Sequence, residues 1–363
     1  MNKPFAAATL LGLLSLVSSG LVAQERDRPR PSDPAPVFPV DAHIVWIDVV
    51  AVDSKDRPVA NLGREDFEVV EGGERRPILL FRAPDLDVET SRAVVFLIDD
   101  VLARAQQIQR ARDAVGRMLS RAVAGDRVLL MAPASGVAAS VVVPDDTPAL
   151  QAQLGRIRAH PGRTSTLTEP REIRRLHWER VDAVVASLQA LQGHAGPRAL
   201  ILIGPSLPYR ASGPFGSAAY ERVMRASQRA AAPVYFLKWG EDTLFWPSPT
   251  LGPDRVRGTG AVGGLSPLLP MAPGENRRTG SDVFDAVSSD SGGFTTPNPA
   301  AWASAIDRIL RRSRACYLLG IPSAPETWDG RYHRVEVRVT QKGVRLHARN
   351  GYFAPAAAAP DKR

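Results

Sequence analysis

The chain has 363 residues, with 46 Lys and Arg against 38 Asp and Glu, a formal charge of +8, a pI near 10.0 and one cysteine. A single cysteine excludes an intramolecular disulfide, so the fold must stand on its apolar core. Lysine occurs only at positions 3, 55, 238, 342 and 362, so the charge excess is carried by arginines spread along the chain, without the aromatic-interleaved cluster of a nucleic-acid-binding surface.

Lys3 precedes an apolar or small run from Phe5 to Val22, closed by Leu21-Val22-Ala23 before polar Gln24-Glu25-Arg26. This is the layout of a secretory signal peptide over 1–23. About 18 apolar residues could also serve as an uncleaved anchor, but Ser15, Ser18, Ser19 and Gly20 weaken the segment and favour cleavage, leaving no membrane span. The expected location is therefore exported: periplasmic, secreted or attached to the envelope. A proline-rich linker is expected over 24–39.

From 40 to 85 the chain reads as a β module. His43 to Val52 is rich in Ile, Val and Trp, Asp66 to Val70 alternates before the turn Glu71-Gly72-Gly73-Glu74, and Pro77 to Phe81 follows as a third strand. Three short strands bury too little to stand alone. The alternating Tyr332 to Val339, the turn Gln341-Lys342-Gly343 and the return Val344 to Ala348 predict a C-terminal hairpin, within 327–355, that completes this module.

Between them, over 90–322, apolar strands alternate with helical patterns. Strands are expected at Ala93–Ile98, Val128–Ala132, Ala138–Val143, Ala199–Ile203, Val234–Leu237 and around Cys316. Helices are expected from about Arg104 to Val123, Arg171 to Leu191 and Ala218 to Ala232, with a last one marked by Trp302, Ile306, Ile309 and Leu310. The alternation predicts an α/β fold with a doubly wound, mainly parallel sheet covered by helices on both faces. Periodicity fails over 240–280, which reads as an irregular loop. Cys316 lies in an apolar run and reads as a buried small hydrophobe.

The string Val59-Ala60-Asn61-Leu62-Gly63-Arg64-Glu65-Asp66-Phe67-Glu68-Val69-Val70-Glu71-Gly72-Gly73 resembles the lead-in of the VWFA-related proteins of acidobacteria. Phe96-Leu97-Ile98-Asp99-Asp100, Gly125-Asp126-Arg127-Val128, Arg198 to Ile203, Ser291-Gly292-Gly293, Tyr317-Leu318-Leu319-Gly320 and Ala348-Arg349-Asn350-Gly351-Tyr352 resemble later landmarks of that family in order. The resemblance spans roughly 40–353. It implies a von Willebrand A domain with its ligand site at the C-terminal ends of the strands, where well-characterised members hold Mg²⁺ through an Asp-x-Ser-x-Ser loop, a Thr and a second Asp. Here Asp99 matches, while Val101 and Ala103 stand where the serines belong, and Gly204-Pro205-Ser206-Leu207 supplies no second acid. The implied ligands reduce to Asp99, Asp100 and a hydroxyl from Thr164 or Thr166. Such a depleted set holds Mg²⁺ weakly at best, and no cofactor is expected. The alternative for Asp99 and Asp100 is capping of the following helix or pairing with arginine.

Catalytic patterns are weak. Gly258 to Gly263 matches G-x-G-x-x-G without the flanking strand and helix. Ser206 lacks a nucleophile elbow. The six histidines are scattered, His177 reading as solvated surface, and the carboxylates Glu68, Glu71, Asp145 and Asp146 as turn neighbours. The sequence is therefore read as a non-enzymatic binding or adhesion module for an unidentified protein or surface ligand. The alternatives are an extracytoplasmic hydrolase and a structural envelope component without a ligand.

Overall fold

The computed structural model describes residues 43–85, 91–160, 170–194, 196–207, 214–239, 282–313, 315–323 and 328–355. The signal peptide and linker expected over 1–39, the loop over 240–280 with its glycine motif, and Thr164 and Thr166 lie outside the described residues.

The β-strands are β1 (His43–Val52), β2 (Phe67–Glu71), β3 (Glu74–Arg76), β4 (Leu80–Arg82), β5 (Ala93–Ile98), β6 (Arg127–Ala132), β7 (Val137–Val142), β8 (Arg198–Gly204), β9 (Val234–Lys238), β10 (Phe294–Thr296), β11 (Cys316–Ser323), β12 (Tyr332–Val339), β13 (Arg345–Ala348) and β14 (Gly351–Phe353). The helices are α1 (Ala105–Leu119), α2 (Thr147–Arg156), α3 (Pro170–Gln189), α4 (Pro214–Ala230), α5 (Val283–Asp290) and α6 (Trp302–Ser313).

A six-stranded sheet runs β10-β9-β8-β5-β6-β7. β5 is central, and its pleat sends Val94, Phe96 and Ile98 into a core with α1, α2 and α6. Ala93, Val95 and Leu97 enter a second core with α3, α4 and α5. All six β5 residues are buried, which is why the strand reads as a continuous apolar run.

The expectation of a doubly wound, mainly parallel sheet is corrected here: the sheet is mixed, and two antiparallel sheets accompany it. β7 runs antiparallel to β6, with Ala132 opposite Val137. Only residues 133–136 connect them, through a 3₁₀ turn at Pro133–Ser135 and Gly136 at φ 61°. A parallel return needs a crossover of about a dozen residues or more, so this short reversal dictates antiparallel pairing.

The two C-terminal strands pair with the N-terminal strands, but not as one hairpin. β12 and β13 enter different sheets, β14-β12-β2-β3 and β13-β1-β11-β4. β13 pairs with β1 from Val49–Ala348 to Val52–Arg345, while β12 pairs with β2 from Val335–Glu71 to Val339–Phe67. The Cys316 strand, read as the end of the central domain, is β11 and pairs along most of β1. The physical reason is burial: splitting the strands between two sheets encloses one core of Ile47, Val49, Phe67, Val69, Tyr317, Leu319 and Val335, which a lone hairpin would leave open on one face. Gly72 and Gly73, at φ 60° and 91°, close the β2–β3 hairpin, as a two-residue turn with positive φ at both positions requires.

Two helices and three short strands carried too little pattern to be read: α2, buried only at Leu150 and Leu154, α5, and the three-residue β3, β10 and β14.

Candidate functional site

At the C-terminal end of β5 the chain passes through Asp99 into a 3₁₀ turn at Asp100–Leu102 before α1 begins. Asp99 and Asp100 are both buried, but each is committed to a different partner. The two oxygens of Asp100 accept the backbone N–H groups of Ala134 and Ser135, at 2.9 and 2.7 Å, tying this turn to the one after β6. His160 Nε2 lies 3.9 Å from Asp100 Oδ2.

Asp99 is met by Arg180 of α3, whose Nε donates to Oδ2. The rest of the guanidinium donates to the carbonyls of Pro205 at 2.5 Å and Ser206 at 3.2 Å, in the loop after β8. The Arg180 side chain is 4% exposed and that of Asp99 7%, so the pair is removed from water. Arg180 reaches this position because it shares the apolar face of α3 with Leu176, His177, Val184 and Leu188. Its charge is stabilised by a carboxylate and two carbonyls, and its plane lies 5.5 Å from the ring centre of Phe284.

Gly204 ends β8 against this pair. A Cβ there would lie 2.8 Å from the Cβ of Asp99 and 3.3 Å from Trp239 Nε1, so a larger residue would push the carboxylate away. Beside it, Lys238 at the end of β9 pairs with Asp285 at 2.6 Å and lies 3.5 Å from Asp282, the residue that caps α5 through Phe284 N. Burial raises the carboxyl pKa of Asp282, Asp285 adds to the rise, and Lys238 opposes it.

A cavity of about 280 Å³ opens next to the ion pair, lined by Leu97, Val101, Val184, Leu202 and Phe284 with Asp99 and Arg180 in its wall. It sits on the α3 side of the sheet at the C-terminal end of β5, the edge where open α/β sheets place ligands.

Whether Asp99 and Asp100 suit a divalent cation is decided by their partners. Arg180 holds Oδ2 of Asp99 and leaves Oδ1 buried without a hydrogen-bond partner among the described residues. A cation at Oδ1 would stand beside the buried guanidinium, and one at Asp100 would break two backbone hydrogen bonds, so the carboxylates do not fit the metal that the sequence resemblance implies. Among the described residues, no group of three or more His, Cys, Asp or Glu side chains is placed to hold a metal ion.

Two residues differ from their sequence reading, and Arg180 had none. Arg180 was not singled out, although its place in the apolar register of α3 was the available signal. His177 is 3% exposed rather than solvated, with its ring 6.0 Å from Phe215. Cys316 is half-buried, its Sγ 3.8 Å from Asp48 Oδ1, and burial with that neighbouring acid pushes the thiol pKa well up.

The His177 environment has a measurable consequence. Burial, and secondarily Arg180, lower its pKa from 6.5 to about 4. A histidine with a depressed folded pKa resists protonation only when folded, so its contribution is fully present above pH 6.5 and is lost as pH falls towards about 4. We expect His177→Gln to flatten the fall in melting temperature across that window; an unchanged slope would show that His177 does not sense the acid.

No family model matches the chain, and no curated protein matches it in sequence. No helix among the described residues is long and apolar enough to cross a membrane.

Proposed function

We propose that the protein is an exported binding module, related to the VWFA-related proteins whose landmarks it carries, that captures a protein or surface ligand without a metal ion. The observation that carries this reading is the cavity beside the Asp99–Arg180 pair. Its walls are mainly apolar, and its volume of about 280 Å³ lies near the lower end of small-ligand pockets. That suits an apolar anchor side chain of a partner, with the buried ion pair as a rigid floor. Arg180 takes the place that the metal holds in the resembled family: it neutralises Asp99 and gathers the loop after β8 with a charge that needs no ligand exchange.

The test is binding of the labelled full chain to the envelope fraction of the producing cells, with and without EDTA. Saturable binding that resists EDTA and weakens at least about tenfold in Ala183→Arg, which fills the cavity from α3, supports the reading. Loss of binding on chelation, or equal binding by the variant, overturns it.

A further inference from the structure

A second cavity lies at the opposite edge of the six-stranded sheet, where the N-terminal ends of β8 and β9 meet the sheet containing β1 and β11. Its volume is about 350 Å³. Arg82, Arg198, Arg312, His347, Asp48 and Tyr235 are among its lining residues, so three arginines from separate parts of the chain line it.

Two of these arginines are incompletely satisfied. The Nε atoms of Arg198 and Arg312 are buried without a hydrogen-bond partner among the described residues. Arg312 is 4% exposed, and its Nη2 is engaged by Asp56 at 3.3 Å and His347 Nε2 at 2.8 Å. Burial and Arg312 lower the pKa of His347 to about 4, so at neutral pH the ring accepts from Arg312 instead of adding charge. A buried guanidinium N–H with no acceptor costs free energy that a bound acceptor would recover.

Asp56 already engages Arg312 here, and two further acids line the cavity. Asp48 lies in the wall, 3.8 Å from Arg349 Nη2, and Asp85 lies at the margin. Burial raises the Asp48 carboxyl pKa against the pull of Arg349, Arg198 and Arg82.

We infer that this cavity is a binding site for a small organic oxyanion, recognised by Arg198 and Arg312. The planar fork of arginine matches the paired oxygens of a carboxylate or phosphate, and the volume admits a small metabolite-sized group. The site is separate from the Asp99 cavity and does not depend on what that cavity binds.

The test is calorimetric titration of the full chain with inorganic phosphate and, separately, with succinate, at near-physiological salt to suppress loose ion pairing. We expect at least one to bind with a Kd below about 1 mM, weakened at least about tenfold in Arg198→Gln and unchanged in Arg222→Gln, whose arginine pairs with Asp182 on the surface. Phosphate alone would identify a phosphoryl group, and succinate alone a carboxylate. Should Arg198→Gln fail to fold, Arg198→Lys, which keeps the charge but removes the unpartnered Nε donor, takes its place. Absence of binding by both anions, or binding undiminished in the folded variant, would overturn the site.

Discussion

Asp126→Ala should lower the unfolding free energy by about 3–5 kcal/mol in urea denaturation at neutral pH, the range for stranding one member of a buried ion pair. Asp126 is fully buried and its partner Arg92 is 1% exposed at the side chain. One carboxylate oxygen accepts from Arg92 N at 2.8 Å and Arg92 Nε at 3.2 Å; the other accepts from Val123 N at 3.0 Å and Arg92 Nη2 at 2.5 Å. Arg92 continues to the carbonyl of Leu310 and the hydroxyl of Ser313, so this single carboxylate links the entries of β5 and β6 to the end of α6. Alanine would orphan a guanidinium and two backbone donors together. Asp126→Asn keeps an acceptor and should lose clearly less; a loss below about 1 kcal/mol for the alanine variant would show that water replaces the network.

Arg180→Met should cost a comparable amount, about 3–5 kcal/mol, because it leaves Asp99 buried beside an apolar cavity with its charge unopposed. The double variant Asp99→Leu, Arg180→Met should lose much less than the sum of its singles, since removing both charges removes the desolvation cost with them. Denaturation of all four proteins gives the coupling energy directly. Additive losses would mean that the two side chains act independently, and Arg180 would then have no claim as the resident cation of this edge.

Much of the central sheet could be read because its signals are local. The run Ala93-Val94-Val95-Phe96-Leu97-Ile98 is buried on both faces, and Ile108, Ala111, Val115 and Met118 recur at helical spacing on α1. Strand direction is not local in the same way. Val137 to Val142 reads as a strand under either pairing, and only the four-residue connection from Ala132 decides that it runs antiparallel. Likewise, Tyr332 to Ala348 has the alternation of a hairpin, but the separate partners offered by β1 and β2, nearly 300 residues away, draw its two strands apart.

At the site, Asp99 could be found because an acid ends an apolar strand. Arg180 could not be paired with it, because the link between α3 and β5 spans 81 residues and exists only after folding. An arginine in the i, i+4 register of buried Leu176 and Val184 was the available warning, and it was indistinguishable from the many surface arginines of this chain. The arginine cavity at the other edge draws its residues from β4, β8 and α6, so no window of sequence contains it.

The most direct test of the central claim is calorimetric titration of the full chain with Mg²⁺ and Mn²⁺, beside Asp99→Ala as control. With Arg180 holding Asp99, no binding heat is expected from either protein at up to about 10 mM metal. Sub-millimolar binding by the wild-type chain that vanishes in Asp99→Ala would contradict it, showing that the guanidinium yields to a cation and that the edge works as a metal site.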